Sequence, residues 1–137
     1  MFDFQAFQQG ALAFLAAFGV ALLFMLAFQF LYQLVTPHDE RRLIREGNAA
    51  AAVALGGALI GYALPVASAL SVAHSIAEFS AWAALAAVIQ ILTFLIIRRL
   101  VVSDVGARIE RGELPIAIYL AAISIGVGLL NAASMTE

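Results

Sequence analysis

Residues 36–48 read TPHDERRLIREGN and residues 98–113 read RRLVVSDVGARIERGE, and together these two segments hold every basic side chain of the protein. Arg41, Arg42 and Arg45 sit in the first; Arg98, Arg99, Arg108 and Arg111 sit in the second, and there is no lysine. Working outward, four apolar stretches lie around them, at about 11–35, 49–70, 79–102 and 114–135. Arginine resists translocation, so cations confined to alternate loops set the threading of a membrane chain. No basic residue precedes the first stretch, lies in 71–78 or follows 114. Both termini and the 71–78 loop are therefore expected outside, and both arginine segments in the cytoplasm. Asp3, Glu78 and Glu137 fall on the outer side, and the other six acids fall in the arginine segments.

Composition agrees. The residues are 64% hydrophobic and 12% charged, with a mean hydropathy of +1.02, whereas a soluble domain is about half apolar and about a quarter charged. Each stretch reaches the ~20 residues needed to cross a ~30 Å hydrocarbon core as a helix. A β-barrel needs ~10-residue segments of alternating polarity, and none occurs. The first stretch does not read as a cleaved signal: Met1-Phe2-Asp3-Phe4 is acidic, and the apolar run is too long for an h-region. The formal charge of −2 decides little because it is segregated, and nucleic acid is not expected as a partner. With no cysteine, disulfides and thiolate metal sites are absent.

The boundaries carry their own signals. Thr36-Pro37-His38-Asp39 reads as a capping box with Pro at the first helical position, predicting a short surface helix over about 37–46 that stops at Gly47. Asn48 is a candidate N-cap for the second span, and Ser75-Ile76-Ala77-Glu78 a capping box for the third. In 103–113, Asp104 and Arg108 are spaced i,i+4, Gly112 ends the turn and Pro115 starts the fourth span. At an offset of 65, Ile44, Gly47, Ala52, Leu55, Ile60, Gly61, Leu64 and Ala67 match Ile109, Gly112, Ala117, Leu120, Ile125, Gly126, Leu129 and Ala132. The expected architecture is one all-α membrane domain over 1–137, a four-helix bundle of two tandem hairpin units (about 1–70 and 71–137). Both units enter the membrane in the same sense, with N-out, C-out threading.

Of the 22 residues 49–70, thirteen are Ala, Gly or Ser. Gly57 and Gly61 form a GxxxG, and Ala122/Gly126 and Gly128/Ala132 give small-xxx-small spacings. Such residues let helix backbones approach closely, which drives association in lipid. The second and fourth spans are thus expected at the centre, with homo-oligomerisation through one of them. The Phe7, Phe14, Phe18, Met25, Phe28 and Tyr32 stripe of the first span faces either lipid or a partner helix.

No ionisable side chain falls at membrane depth, which weighs against a proton-coupled exporter. His38 and His74 lie on opposite sides, so no metal site or cofactor is expected. No catalytic constellation appears, and the chain does not read as an enzyme. The candidate polar lining is Gln90, Ser124, Asn131, Tyr62 and Gln29, which should face protein or water because an unmet amide in lipid is costly. Pro65 cannot donate to the Gly61 carbonyl and should kink the second span there. Asp39, Glu40 and Glu46 neutralise the first arginine cluster locally, so topology is the simpler reason for it.

Thr36-Pro37-His38-Asp39-Glu40, Leu43-Ile44, Leu59-Ile60-Gly61-Tyr62, Ala81-Trp82, Val88-Ile89-Gln90 and Asn131-Ala132-Ala133-Ser134-Met135-Thr136 resemble the YjfL family of small bacterial inner-membrane proteins. The resemblance covers nearly the whole chain. It implies tandem two-helix units, a multi-pass protein of the bacterial inner membrane, and no assigned activity.

The leading functional expectation is a small homo-oligomeric channel or passive transporter for an ion or small solute. The alternative is a non-conducting scaffold or accessory subunit that docks other proteins, in part through its cytoplasmic loops. A channel places its polar residues on one wet surface; a scaffold buries them pairwise. The threading is directly testable, since the chain has no cysteine of its own. A His74→Cys variant should react with a membrane-impermeant maleimide added from the periplasmic side. Reaction only from the cytosol would reverse the assigned orientation.

Overall fold

The computed structural model describes residues 1–135; Thr136 and Glu137, the latter expected on the outer side, lie outside the described residues. Four helices are long and apolar enough to cross a membrane. They are α1 (Phe4–Val35), α3 (Ala49–Val72), α4 (Ile76–Ile96) and α6 (Leu114–Ala133). Two six-residue helices, α2 (Glu40–Arg45) and α5 (Val105–Glu110), lie in the arginine segments. No strand occurs among the described residues.

The helix ends follow from individual side chains. Asp3 caps α1 by accepting from the Gln5 and Ala6 amides at 3.0 and 3.1 Å, so α1 starts ahead of the apolar stretch that begins near residue 11. Asn48 caps α3 through the Ala51 amide at 3.0 Å, and Ser75 caps α4 through the Glu78 amide at 3.0 Å. Gly47 and Gly112 take φ of +86° and +76°. Each ends its short helix with the same pair of bonds: Gly47 N–H to Ile44 and Asn48 N–H to Leu43, Gly112 N–H to Ile109 and Glu113 N–H to Arg108. The short helix α2 departs from the expected 37–46. Thr36 is extended, as a residue before proline must be, and its hydroxyl donates to the Gln33 carbonyl at 3.1 Å. The cap is Asp39, whose carboxylate accepts from the Arg42 amide at 3.2 Å, and the helix starts at Glu40. Asp104 adopts φ 55° at the entry to α5, and the Asp104–Arg108 pairing suggested by their spacing is not among the ion pairs of the described residues.

The core is built on α3. Its Ala50, Ala51, Ala54, Ala58 and Ala69 are buried, together with Gly57, Gly61, Tyr62 and Pro65. Along one side α6 lies directly on its backbone. A Cβ at Gly57 would collide with Ala121, one at Gly61 with the Ser124 backbone, and one at Gly128 with the Gly61 carbonyl. That carbonyl is the one whose i+4 donor Pro65 removes. A Gly128 Cα hydrogen faces it instead, a weak contact worth about 0.5–1 kcal/mol. Ser68 Oγ donates to the Ala132 carbonyl at 2.9 Å further along the same crossing.

Two expectations about this region need correction. Only α3 is central: α6 buries just Ala117, Leu120 and Gly128 and turns its remaining faces outward. The Ala122/Gly126 pair is not at the contact, since Ala122 is exposed and Gly126 has open space beside it. A helical rotation of about 100° per residue puts Ala121, Ser124 and Gly128 on the contact stripe and carries Ala122 and Gly126 off it. The glycines at 57, 61 and 128 are accordingly taken up inside one chain, not presented to another copy.

Helix α1 divides in two. Ala21, Phe28 and Tyr32 are buried against α3 and α4. Phe7, Phe14 and Phe18, on the same stripe, are exposed along with most of residues 1–16. The last turn of α4 widens over Ile97–Val101, closed by Val102 N–H to the Ile97 carbonyl at 3.0 Å, an i→i+5 bond.

The crossing predicts a matched pair of outcomes. Gly128→Ala should destabilise the purified protein in detergent by about 1–3 kcal/mol, because rigid backbone and not a movable side chain meets the new methyl. Gly126→Ala should be neutral or stabilise by up to about 1 kcal/mol, through helix propensity alone. Unfolding by SDS titration measures both, and equal effects would reject this packing.

Candidate functional site

In the membrane-spanning part, the polar side chains that could carry function are held by neighbouring helices. Tyr62, fully buried, donates its hydroxyl to the Ala83 carbonyl of α4 at 2.8 Å. Its ring stacks on Phe28 of α1 at 4.3 Å, so one side chain ties three helices. Gln90, also buried, donates Nε2 to the Ser124 carbonyl at 3.1 Å. Its Oε1 meets no donor among the described residues. Asn131 is half-buried and donates to the Ala86 carbonyl at 3.3 Å. Ser124 takes part through its backbone, and Gln29, half-buried on α1, joins none of these bonds. The structure therefore brings Gln90 and Ser124 together and gives Tyr62 and Asn131 separate carbonyls on α4. The freed Gly61 carbonyl is covered by Gly128 and lines no opening.

The arginines lie where the helices end, and the two segments touch. Asn48 Nδ2 donates to the Ile109 carbonyl at 2.8 Å, joining the start of α3 to the end of α5. Arg42 sits 3.6 Å from Glu46 and 3.9 Å from Glu110, and Arg111 pairs with Glu113 at 2.6 Å. These pairs are solvent-exposed and worth at most about 1 kcal/mol each.

A buried ionisable pair stands between these two zones. Glu40 is 1% exposed and is not a surface neutraliser of the arginines. One carboxylate oxygen lies 2.9 Å from His38 Nε2, with both side chains fully enclosed. Either a carboxyl O–H donates to Nε2 or Nε2–H donates to the carboxylate, so the contact can hold a proton on either partner. Glu40 Oε2, His38 Nδ1 and the Gln33 amide nitrogen have no hydrogen-bond partner among the described residues. Above the pair, the Tyr32 ring packs on Phe94 at 5.1 Å and leads through Phe28 to Tyr62. Burial pushes the Glu40 carboxyl above its ordinary value, outweighing the opposing pull of the His38 hydrogen bond. The local signal was the i,i+3 spacing of Glu40 and Leu43, the two buried residues of α2, which puts the acid on the inner face of a one-and-a-half-turn helix. Among the described residues no three His, Cys, Asp or Glu side chains come together as a metal site.

Comparison with known proteins was made on this footing. A family model described as Domain of Unknown Function (DUF350) matches residues 6–135. The chain is 36% identical over 125 residues to the UPF0719 inner membrane protein YjfL of Escherichia coli strain K12, covering 91% of this chain and 94% of the relative. The protein of the same name from Escherichia coli O157:H7 matches equally. No solved structure matches.

A raised pKa in the folded state has a definite stability consequence. The folded protein holds the Glu40 proton more tightly than the unfolded chain, whose carboxyl titrates near the ordinary 4.5. The stabilisation is complete below that value and is lost as pH rises through the raised folded value. Glu40→Gln fixes the neutral form and should flatten this slope. Melting temperatures from about pH 4 to about pH 8 test it, and an unchanged slope would remove Glu40 as its source.

Proposed function

The chain belongs to the DUF350 family and is a multi-pass protein of the bacterial inner membrane, and on that premise we propose that it is a non-conducting docking subunit for other membrane proteins. The observation that carries this reading is the pairwise disposal of polar groups within the spans. Tyr62, Gln90, Asn131 and Ser68 each donate to a backbone carbonyl of an adjacent helix. Such bonds average ~0.6 kcal/mol in membranes and fix helix register. A conducting path lined by these residues would need them on a shared wet face.

The surface left for partners is of two kinds. The outer half of α1 offers exposed Phe7, Leu12, Phe14, Leu15 and Phe18, and further copies of the chain or other membrane helices would associate there. The exposed faces of α2 and α5, with Arg41 and Arg45, suit protein partners in the cytoplasm. The N-out, C-out threading remains part of the proposal and rests on the seven-to-none partition of arginine. So does the tandem repeat of two parallel hairpins. It is supported by α2 and α5 beginning 65 residues apart, as do α3 and α6, and by the matching bonds that end the short helices.

Purified protein in liposomes tests the reading. Flux of K⁺, Cl⁻ and small neutral solutes should equal that of protein-free vesicles. A flux that Gln90→Leu and Asn131→Leu abolish would replace docking with conduction along those residues.

A further inference from the structure

Outside the aromatic core, α1 and α4 part and leave an apolar cavity of about 420 Å³. Its walls include Ala27, Leu31 and Val35 of α1 and Ala84, Val88 and Leu92 of α4, with Phe28 and Tyr62 behind. The cause lies in side-chain size. The helices meet through Phe28, Tyr32 and Phe94, while Ala27, Ala84 and Ala87 are too small to fill the space on the outer side. Walls of this kind offer nothing for water to bond, so at membrane depth the space suits an alkyl chain.

Arginines lie beyond one end of the cavity, next to residues that line it. Val35, the last residue of α1, lines it, and the Val35 carbonyl accepts from Arg98 Nη1 at 3.1 Å. That bond ties the Arg98 guanidinium to the end of α1, beside the cavity. Arg99 lies seven residues after Leu92, on the same stripe of α4, and lines a shallow extension with Leu92, Leu95 and Leu100. Both arginines are exposed and are carried on the widened turn. Neither forms an ion pair among the described residues. Asp104 and Glu110 line the neighbouring hollow beside Arg98 without closing a bridge to it.

We infer that this is a binding site for an anionic phospholipid, with an acyl chain in the cavity and the phosphate on Arg98 and Arg99. The geometry combines an alkyl-sized trough with guanidinium donors at the depth where a headgroup lies. Guanidinium suits phosphate because it donates in a planar fork. This assigns to the two arginines a role that setting topology does not require. It also stands apart from the docking proposal, since lipid can bind whether or not the protein docks a partner.

Native mass spectrometry of the purified protein, titrated with phosphatidylglycerol or with phosphatidylcholine of the same acyl chains, provides the test. One phosphatidylglycerol should be held per chain, with roughly tenfold preference over phosphatidylcholine. The double variant Arg98→Gln, Arg99→Gln should lose the preference while retaining weak binding of both lipids. Ala84→Phe, placed at the exposed lip and not in the core, should reduce both lipids. Arg98→Lys with Arg99→Lys, which keeps the positive charge that sets threading, should retain part of the preference. Equal binding of the two lipids, or occupancy that neither Ala84→Phe nor the glutamine variant alters, means annular lipid only and overturns the site. Inorganic phosphate bound as tightly as the lipid, and insensitive to Ala84→Phe, would make it a free-anion site and overturn it too. The glutamine and Ala84→Phe arms touch different parts of the molecule, so loss of folding in one leaves the other decisive.

Discussion

The rest of the molecule hangs on the approach of α6 to α3 at Gly61 and Gly128. Inside a bilayer, lipid chains compete on equal terms with apolar side chains, so helices are held by close packing and by bonds between polar groups. A proline in mid-helix normally leaves a carbonyl without its donor. Here the loss at Gly61 is offset because Gly128 brings its backbone against the same oxygen. Once α3 and α6 are fixed, Ser68 and Gln90 find their carbonyls, and Tyr62 can reach across to α4 while its ring meets Phe28.

How much of this could be read beforehand depended on the range of the interaction responsible. Asn48, Ser75, Gly47 and Gly112 were legible because caps and left-handed turns are settled within a few residues. The four spans were legible because crossing hydrocarbon demands length and composition, which a sequence displays directly. Thr36 misled because its pattern matches a capping box, while its hydroxyl turns back to the Gln33 carbonyl and Asp39 accepts from the Arg42 amide instead. The contact face of α6 was also out of reach: Gly126 and Gly128 are equally small, and only the rotation of the helix against α3 separates them. Glu40 is the clearest case, because its burial depends on how α2 packs against α3 and the end of α1.

The candidate polar residues teach a related lesson. Composition selected Gln90, Asn131 and Tyr62 as groups that must avoid lipid, and each does. It could not distinguish a carbonyl on the next helix from water in a pore, since both meet the same need. In the folded chain each of the three donates to a carbonyl on a neighbouring helix. The buried His38–Glu40 pair sits at the end of the core and not in its middle, under an aromatic column that separates it from the mid-membrane amides.

Helix α1 has 32 residues, a rise of about 48 Å, against a hydrocarbon core of about 30 Å. Its neighbours, with 20 to 24 residues, match the bilayer far more closely. Excess length of this kind is relieved by leaning, or by carrying the leading turn, with Gln5, Gln8 and Gln9, out among the headgroups. Only the buried half of α1 is anchored to the bundle, so its free half is the part that adjusts. A change in membrane thickness would therefore be felt first by this single arm, whose angle no packing partner in the bundle holds.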